Sequence, residues 1–145
     1  MRIKIVIIIF LSMFLSSCII SIGDYSFLGS SIYTGYWYGY LSGVDNIHGN
    51  SIIVISSDGT IRFQNQYNLT VDFYEYEVEH KNIFGNDVYE AIKYVYNNGD
   101  SVTYYLTIEF IESSYNDSIY IANVNLAEKR NIVNDKIYRG IFYRY

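Results

Sequence analysis

From Ser101 to Ile111 the chain reads SVTYYLTIEFI, with Val102, Tyr104, Leu106, Ile108 and Phe110 on one parity and Thr103, Thr107 and Glu109 on the other. A period of two is what a half-buried strand requires, because successive side chains leave a pleated backbone on opposite sides. No segment of similar length carries the period of an amphipathic helix, and VNLAEKRNIVNDK, 124–136, offers one helical turn at most. Proline is absent, while the β-branched and aromatic residues that fit pleated surfaces are plentiful.

The same reading divides the chain into eight β-like runs, near 33–41, 51–56, 60–65, 69–80, 87–96, 101–112, 118–126 and 136–145. Turn signals such as Asp58-Gly59, Gly85-Asn86-Asp87, Asn98-Gly99-Asp100 and Asn116-Asp117 separate most of them. A three-residue loop at 98–100 sets Tyr96 opposite Val102, Tyr94 opposite Tyr104 and Ile92 opposite Leu106, so apolar residues meet apolar residues. A five-residue loop at 113–117 then sets Phe110 opposite Tyr120 and Ile108 opposite Ala122. The expectation is all-β: an eight-stranded antiparallel up-and-down meander closed into a small barrel, since closure removes exposed edges. In the first run, YTGYWYGYLSG, Gly35, Trp37, Gly39 and Leu41 share the inner face, the glycines leave room for the indole and for curvature, and Tyr36, Tyr38 and Tyr40 face outward.

Ahead of this domain lies MRIKIVIIIFLSMFLSSC, in which Arg2 and Lys4 precede an apolar run from Ile5 to Leu15. That is the pattern of a secretion signal, and the run is shorter than the roughly 20 residues a membrane-spanning helix needs. Leu15-Ser16-Ser17-Cys18 resembles the lipobox of bacterial lipoproteins. The resemblance implies that residues 1–17 are removed, that Cys18 is lipidated, that 18–32 form a tether and that 33–145 form the barrel domain. It also implies anchoring in the bacterial cell envelope, at the outer membrane, because Ile19 replaces the aspartate that commonly retains such proteins at the inner one. Cys18 is the only cysteine, so no intrachain disulfide is available. Without the signal, eight basic and fifteen acidic side chains remain, a formal charge of −7 that argues against nucleic-acid partners.

Gly35-Tyr36-Trp37, opening a β-meander, resembles the GxW signature of lipocalins, relatives of the fatty-acid-binding proteins and avidins. The resemblance implies a tryptophan plugging one barrel end with a basic residue from the last strand packed across it. KIYRGIFYRY offers Arg139 first and Arg144 second for that place.

His48 and His80 are the only histidines, and no spacing for a metal site, a catalytic nucleophile or a phosphate loop occurs, so neither enzyme activity nor a metal or cofactor is expected. Both histidines read as loop or surface residues. Glu75, Glu77 and Glu79 read as a solvated strand face, with Lys93 opposite Glu75. Glu90 shares the inward parity of Val88, Ile92, Tyr94 and Tyr96, where a carboxylate needs a partner. Tyr76, Glu90, Tyr94, Tyr96 and Tyr104 are therefore the candidate ligand-binding residues. Two functions stay open: an envelope lipoprotein holding a small apolar or amphipathic ligand inside the barrel, or one with a filled barrel whose surface contacts a protein partner.

Overall fold

A computed structural model of the chain describes residues 28–30, 32–43, 49–97, 100–111, 121–130 and 133–144. The expected signal segment 1–17, Cys18 and His48 lie outside them. The described residues form nine antiparallel strands: β1 (Gly35–Gly43), β2 (Gly49–Ile55), β3 (Ile61–Asn65), β4 (Thr70–Phe73), β5 (Val78–Ile83), β6 (Asn86–Asn97), β7 (Asp100–Ile111), β8 (Ile121–Arg130) and β9 (Val133–Arg144). They belong to one sheet in the order β4-β3-β2-β1-β9-β8-β7-β6-β5. The meander is thus joined through its first and last strands, and the result is an all-β, nearly closed barrel compatible with a lipocalin-like one.

The strand count is nine and not eight because the run expected at 69–80 is broken. Glu77 curls the chain into a 3₁₀ turn at Glu75–Glu77, its amide donating to the Tyr74 carbonyl (2.8 Å) while its carboxylate accepts from the Tyr74 amide (2.9 Å). β4 before the turn pairs with β3, and β5 after it pairs with β6. The antiparallel pairings make β4 and β5 run the same way, so one descending segment changes neighbours halfway and leaves a seam. Glu75 and Glu77 therefore do not share a strand face with Glu79. Lys93 pairs with Glu77, and not with Glu75, at 2.9 Å to each carboxylate oxygen, and its ammonium lies 4.3 Å from the Tyr74 ring centroid.

The inner face is filled by side chains. Trp37, Phe63, Phe73, Tyr89, Tyr138 and Phe142 are fully buried, with Ile53, Ile55, Ile61, Leu106, Ile108 and Leu126 between them. An internal void bounded by Leu41, Ser51, Phe63, Asn65, Leu69, Leu126 and Tyr138 has a volume of about 10 Å³, at the margin of what one water occupies. As expected, Trp37 points inward, at 1% exposure, and Tyr36, Tyr38 and Tyr40 point outward. Gly39 pairs with Phe142 across β1 and β9, and a Cβ there would stand 2.5 Å from the Phe142 ring and 2.6 Å from the Ile141 carbonyl oxygen. The space between the two first-strand glycines is taken by a neighbouring aromatic ring as well as by the indole.

Packing begins before β1. Leu28 and Tyr33 are buried, and Tyr33 closes the lower end of the barrel, where β1 starts and β9 finishes. Its ring stacks on Phe110 at 3.8 Å, its hydroxyl donates to Asp87 Oδ2 (2.9 Å), and its carbonyl accepts from the Trp37 indole (2.8 Å). His80 is on a strand here, and not in a loop, with Nε2 2.8 Å from Asp87 Oδ1. Arg144 is the basic residue at this end: it pairs in register with Trp37, lies against Gly35 and donates to the Ile32 carbonyl. Arg139, the first choice for the residue packed across Trp37, pairs with Ser42 and Asn125 farther up and is exposed on the outer face.

The β5–β6 hairpin at the same end has a two-residue turn, Phe84-Gly85, with φ of 53° and 91°. Two positive φ values mark a type I′ turn, which favours Asn-Gly; a phenylalanine in the left-handed region is strained.

Loss of Trp37 in Trp37→Ala should cost about 3–5 kcal/mol, and Gly39→Ala about 1–3 kcal/mol through overpacking against backbone that cannot yield. Tyr38→Ala should cost clearly less than either in denaturant titrations. Phe84→Asn should raise stability by about 1 kcal/mol by relieving the turn.

Candidate functional site

The register between β6 and β7 decides where the candidate residues go. Asn97 pairs with Asp100, so the hairpin loop holds two residues and not three, and Ala91, Lys93 and Val95 lie opposite Leu106, Tyr104 and Val102. A slip of one residue turns every side chain of a strand to the other face. Glu90, Tyr94 and Tyr96 are therefore on the outside, with Tyr94 and Tyr96 at 74% and 78% exposure, while Tyr89 and Ala91 are inside. The β7–β8 register differs from expectation by two residues, pairing Phe110 with Ala122 and Ile108 with Val124, and an even slip leaves the faces unchanged. Tyr76 lies in the 3₁₀ turn at 82% exposure. Of the five candidates, only Tyr104 is interior.

The odd parity of β6 wins although it carries Lys93, because the upper part of the interior is polar. Lys93, Tyr104, Glu128 and Lys136 form one registered row across four strands. Glu128 is buried and accepts from Arg130 Nε at 2.6 Å. Burial, and then the negative charge of Glu128, push the Tyr104 hydroxyl above the usual phenol range. Lys93 completes the layer by reaching Glu77 across the seam, where both side chains are largely shielded from solvent.

Outside, three of the five candidates converge after all. Tyr76, Glu90 and Tyr94 line a groove of about 610 Å³ on the outer side of β5, β6 and β7, open to solvent along one side. Its remaining walls include Glu79, read from the sequence as part of a solvated face, Ile92, which the expected register turned inward, and Tyr105. The volume is in the range of small-molecule sites, and the mixture of aromatic wall and few polar groups is characteristic of them. Glu79 pairs with Glu90 in register, and Lys81 on the next outward position bridges them, bonding Glu90 and lying 3.7 Å from Glu79. One ammonium between two carboxylates leaves this part of the groove net negative. The Glu90 bond raises the Lys81 pKa, so the ammonium stays charged. Tyr74 stacks on Tyr76 with ring centroids 5.8 Å apart, extending the aromatic wall to the seam. Tyr96 and Tyr104 stand apart from the groove.

Elsewhere on the outer face, Glu109 accepts from the side-chain amides of Asn86 (2.9 Å) and Asn123 (3.1 Å), which hold its carboxyl below the usual range. That group ties β6, β7 and β8 together. Among the described residues no cluster of three or more potential metal ligands occurs, and no helix is long and apolar enough to cross a membrane.

The described residues form a nearly closed antiparallel β-barrel with large side chains packed on its inner face and an aromatic, weakly acidic groove on its outer side. In comparisons with protein-family models, curated proteins and solved structures, nothing matches the chain.

The placement of Tyr104 has an alkaline signature. Below about pH 10 the hydroxyl is protonated in both states and its contribution is whole; as pH rises further the unfolded chain releases the proton first, and stability falls until the folded hydroxyl ionises too. Tyr104→Phe should flatten part of that loss in urea titrations run from pH 8 upward.

Proposed function

We propose that this chain is a lipid-anchored protein of the bacterial envelope whose solid, lipocalin-like barrel binds an amphipathic guest in the outer groove. The guest carries an apolar or aromatic body for Tyr76, Ile92, Tyr94 and Tyr105, and a cationic or hydroxyl-bearing head for Glu79 and Glu90. The observation that carries this reading is the convergence of Tyr76, Tyr94 and Tyr105 with Glu79 and Glu90 around one outer groove of about 610 Å³, while large side chains are fully buried on the inner face. The anchor rests on the lipobox-like Leu15-Ser16-Ser17-Cys18. Outer-membrane placement rests on Ile19 alone.

A second reading, a protein partner, is favoured by the outer edge of β5 at the side of the groove, which has no second strand partner among the described residues. An extended peptide adds a strand at such an edge and places alternate side chains in a neighbouring groove.

A neutral solvatochromic dye should bind the chain lacking its signal and acyl groups saturably, at roughly micromolar affinity. Tyr94→Ala should weaken it about tenfold, equivalent to about 1.4 kcal/mol. Tyr104→Trp should leave dye binding unchanged while lowering stability by about 1–3 kcal/mol. Loss of dye binding in Tyr104→Trp alone would put the guest inside the barrel, and absence of saturable binding would favour the protein partner. For the anchor, Cys18→Ser should leave an unprocessed precursor that takes up no labelled palmitate.

A further inference from the structure

The Phe84 turn combines two features that work against each other in a soluble protein. Its side chain is completely solvent-exposed, at 104% of the reference area, and its backbone is held at a φ that a bulky residue adopts only under strain. Asparagine at this position would suit both the turn and the water. Strain of this kind at an exposed tip points from structure to function.

The turn's neighbours give it a direction. Ile83 beside it and Ile32 in the lead-in are exposed as well. The lead-in enters the barrel at this same end, because Tyr33 bonds Asp87, three residues beyond Phe84. Tyr36, at the lower end of β1, adds an exposed ring. Only nine residues separate Cys18 from Leu28, and a fully extended chain spanning that interval reaches about 35 Å. A lipid on Cys18 therefore keeps this end of the barrel within reach of the bilayer. Among the described residues at this end, Asp58 in the β2–β3 turn carries an exposed carboxylate that accepts from the Thr60 amide, and Asp87 is held by Tyr33 and His80; the ion pairs of Lys81 and Lys93 are beside the groove and the seam.

We infer that the Phe84 tip of the β5–β6 hairpin, together with Ile83 and Ile32, inserts into the lipid interface of the bilayer that holds the Cys18 anchor, so that the barrel stands on its lower end. This rests on the lipid anchor proposed above. The contact fixes the orientation of a body that a lipid tether alone leaves free to tumble, and it places the upper end of the barrel farthest from the membrane. One aromatic and two aliphatic side chains supplement acyl chains; by themselves they are a small apolar area, in keeping with a role in orientation more than in attachment.

The test uses the full chain, expressed with its signal and reconstituted as the processed protein in phosphatidylcholine vesicles. With Cys18 acylated through its sulfur, Phe84→Cys supplies the one thiol that an environment-sensitive fluorophore labels; Tyr67→Cys, in the β3–β4 turn at the opposite end, is the control. The label at 84 should emit at shorter wavelength than the label at 67 and should be quenched by lipids carrying nitroxide on their acyl chains. Mass analysis of the amino-terminal peptide reports the anchor independently. An acylated chain whose label at 84 emits as in water overturns the inference and leaves the anchor standing. A blue-shifted label that lipid nitroxides do not quench also overturns it, since a protein contact then covers the tip. An unacylated chain overturns both readings. Because the cysteine variant can perturb the turn, Phe84→Asn gives a second readout: circular dichroism should be unchanged, and a label at Ile83→Cys in that background should lose its lipid quenching. Retained quenching there would overturn the role of Phe84.

Discussion

Pairing of the first and last strands is the constraint on which the rest of this structure depends. Seven registered pairs, from Trp37 with Arg144 to Gly43 with Tyr138, bring β1 against β9 and turn a linear meander into a barrel. The pairing is possible with Phe142 packed inward because Gly39 opposite it has no side chain. It also delivers Trp37 to the lower end of the core, where its indole bonds the Tyr33 carbonyl and packs on Phe110 at 5.0 Å. Loop-closure entropy makes so long-range a contact costly, and the large apolar area buried behind it is what offsets that cost.

Among the described residues the sheet stays open between β4 and β5, and side chains bridge the gap there. Between β4 and β5 the backbone gives up strand pairing for a 3₁₀ turn, and side chains take over the closure: Lys93 is held by Glu77 and lies over Tyr74. Nearby, Arg62 donates to both Asp72 oxygens at 2.6 and 3.0 Å, and its bond holds the Asp72 carboxyl below the usual range. The Arg62–Asp72 pair is more exposed than Lys93–Glu77, so solvent screens it more strongly. The proposed groove adjoins this seam, which places a concave aromatic surface next to the outer edge of β5.

A filled interior and an aromatic exterior are two results of one composition. With eighteen tyrosines among 145 residues, a barrel of this size cannot bury them all, and the alternating parity of strands sends a share of them outward. Tyr33, Tyr89, Tyr104 and Tyr138 are inside, whereas Tyr36, Tyr38, Tyr40, Tyr76, Tyr94 and Tyr96 face water. Any recognition the barrel performs is thereby shifted to its outer side and lower end, where ring faces are available to a guest or a membrane.

The all-β class, the antiparallel meander, the inward Trp37 and the outward Tyr36, Tyr38 and Tyr40 were legible in single runs of the chain, because strand parity within one run is a local property that glycine, aromatic and polar spacing declares. It also contained the faces of β7 and β8, where an error of two residues in register costs nothing. Only the tertiary structure decided β6. Val88, Ile92, Tyr94 and Tyr96 make one parity look like the core, yet a loop shorter by one residue turns it outward, and the lysine on the other parity is tolerated because Glu77 reaches it from a distant turn. The same holds for the broken strand at 75–77, for the outward placement of Arg139, and for the meeting of Tyr76 with Tyr94 in one groove. Each depends on how separate strands are brought side by side, and a register between strands is set by the summed packing of a whole sheet, which no single segment records.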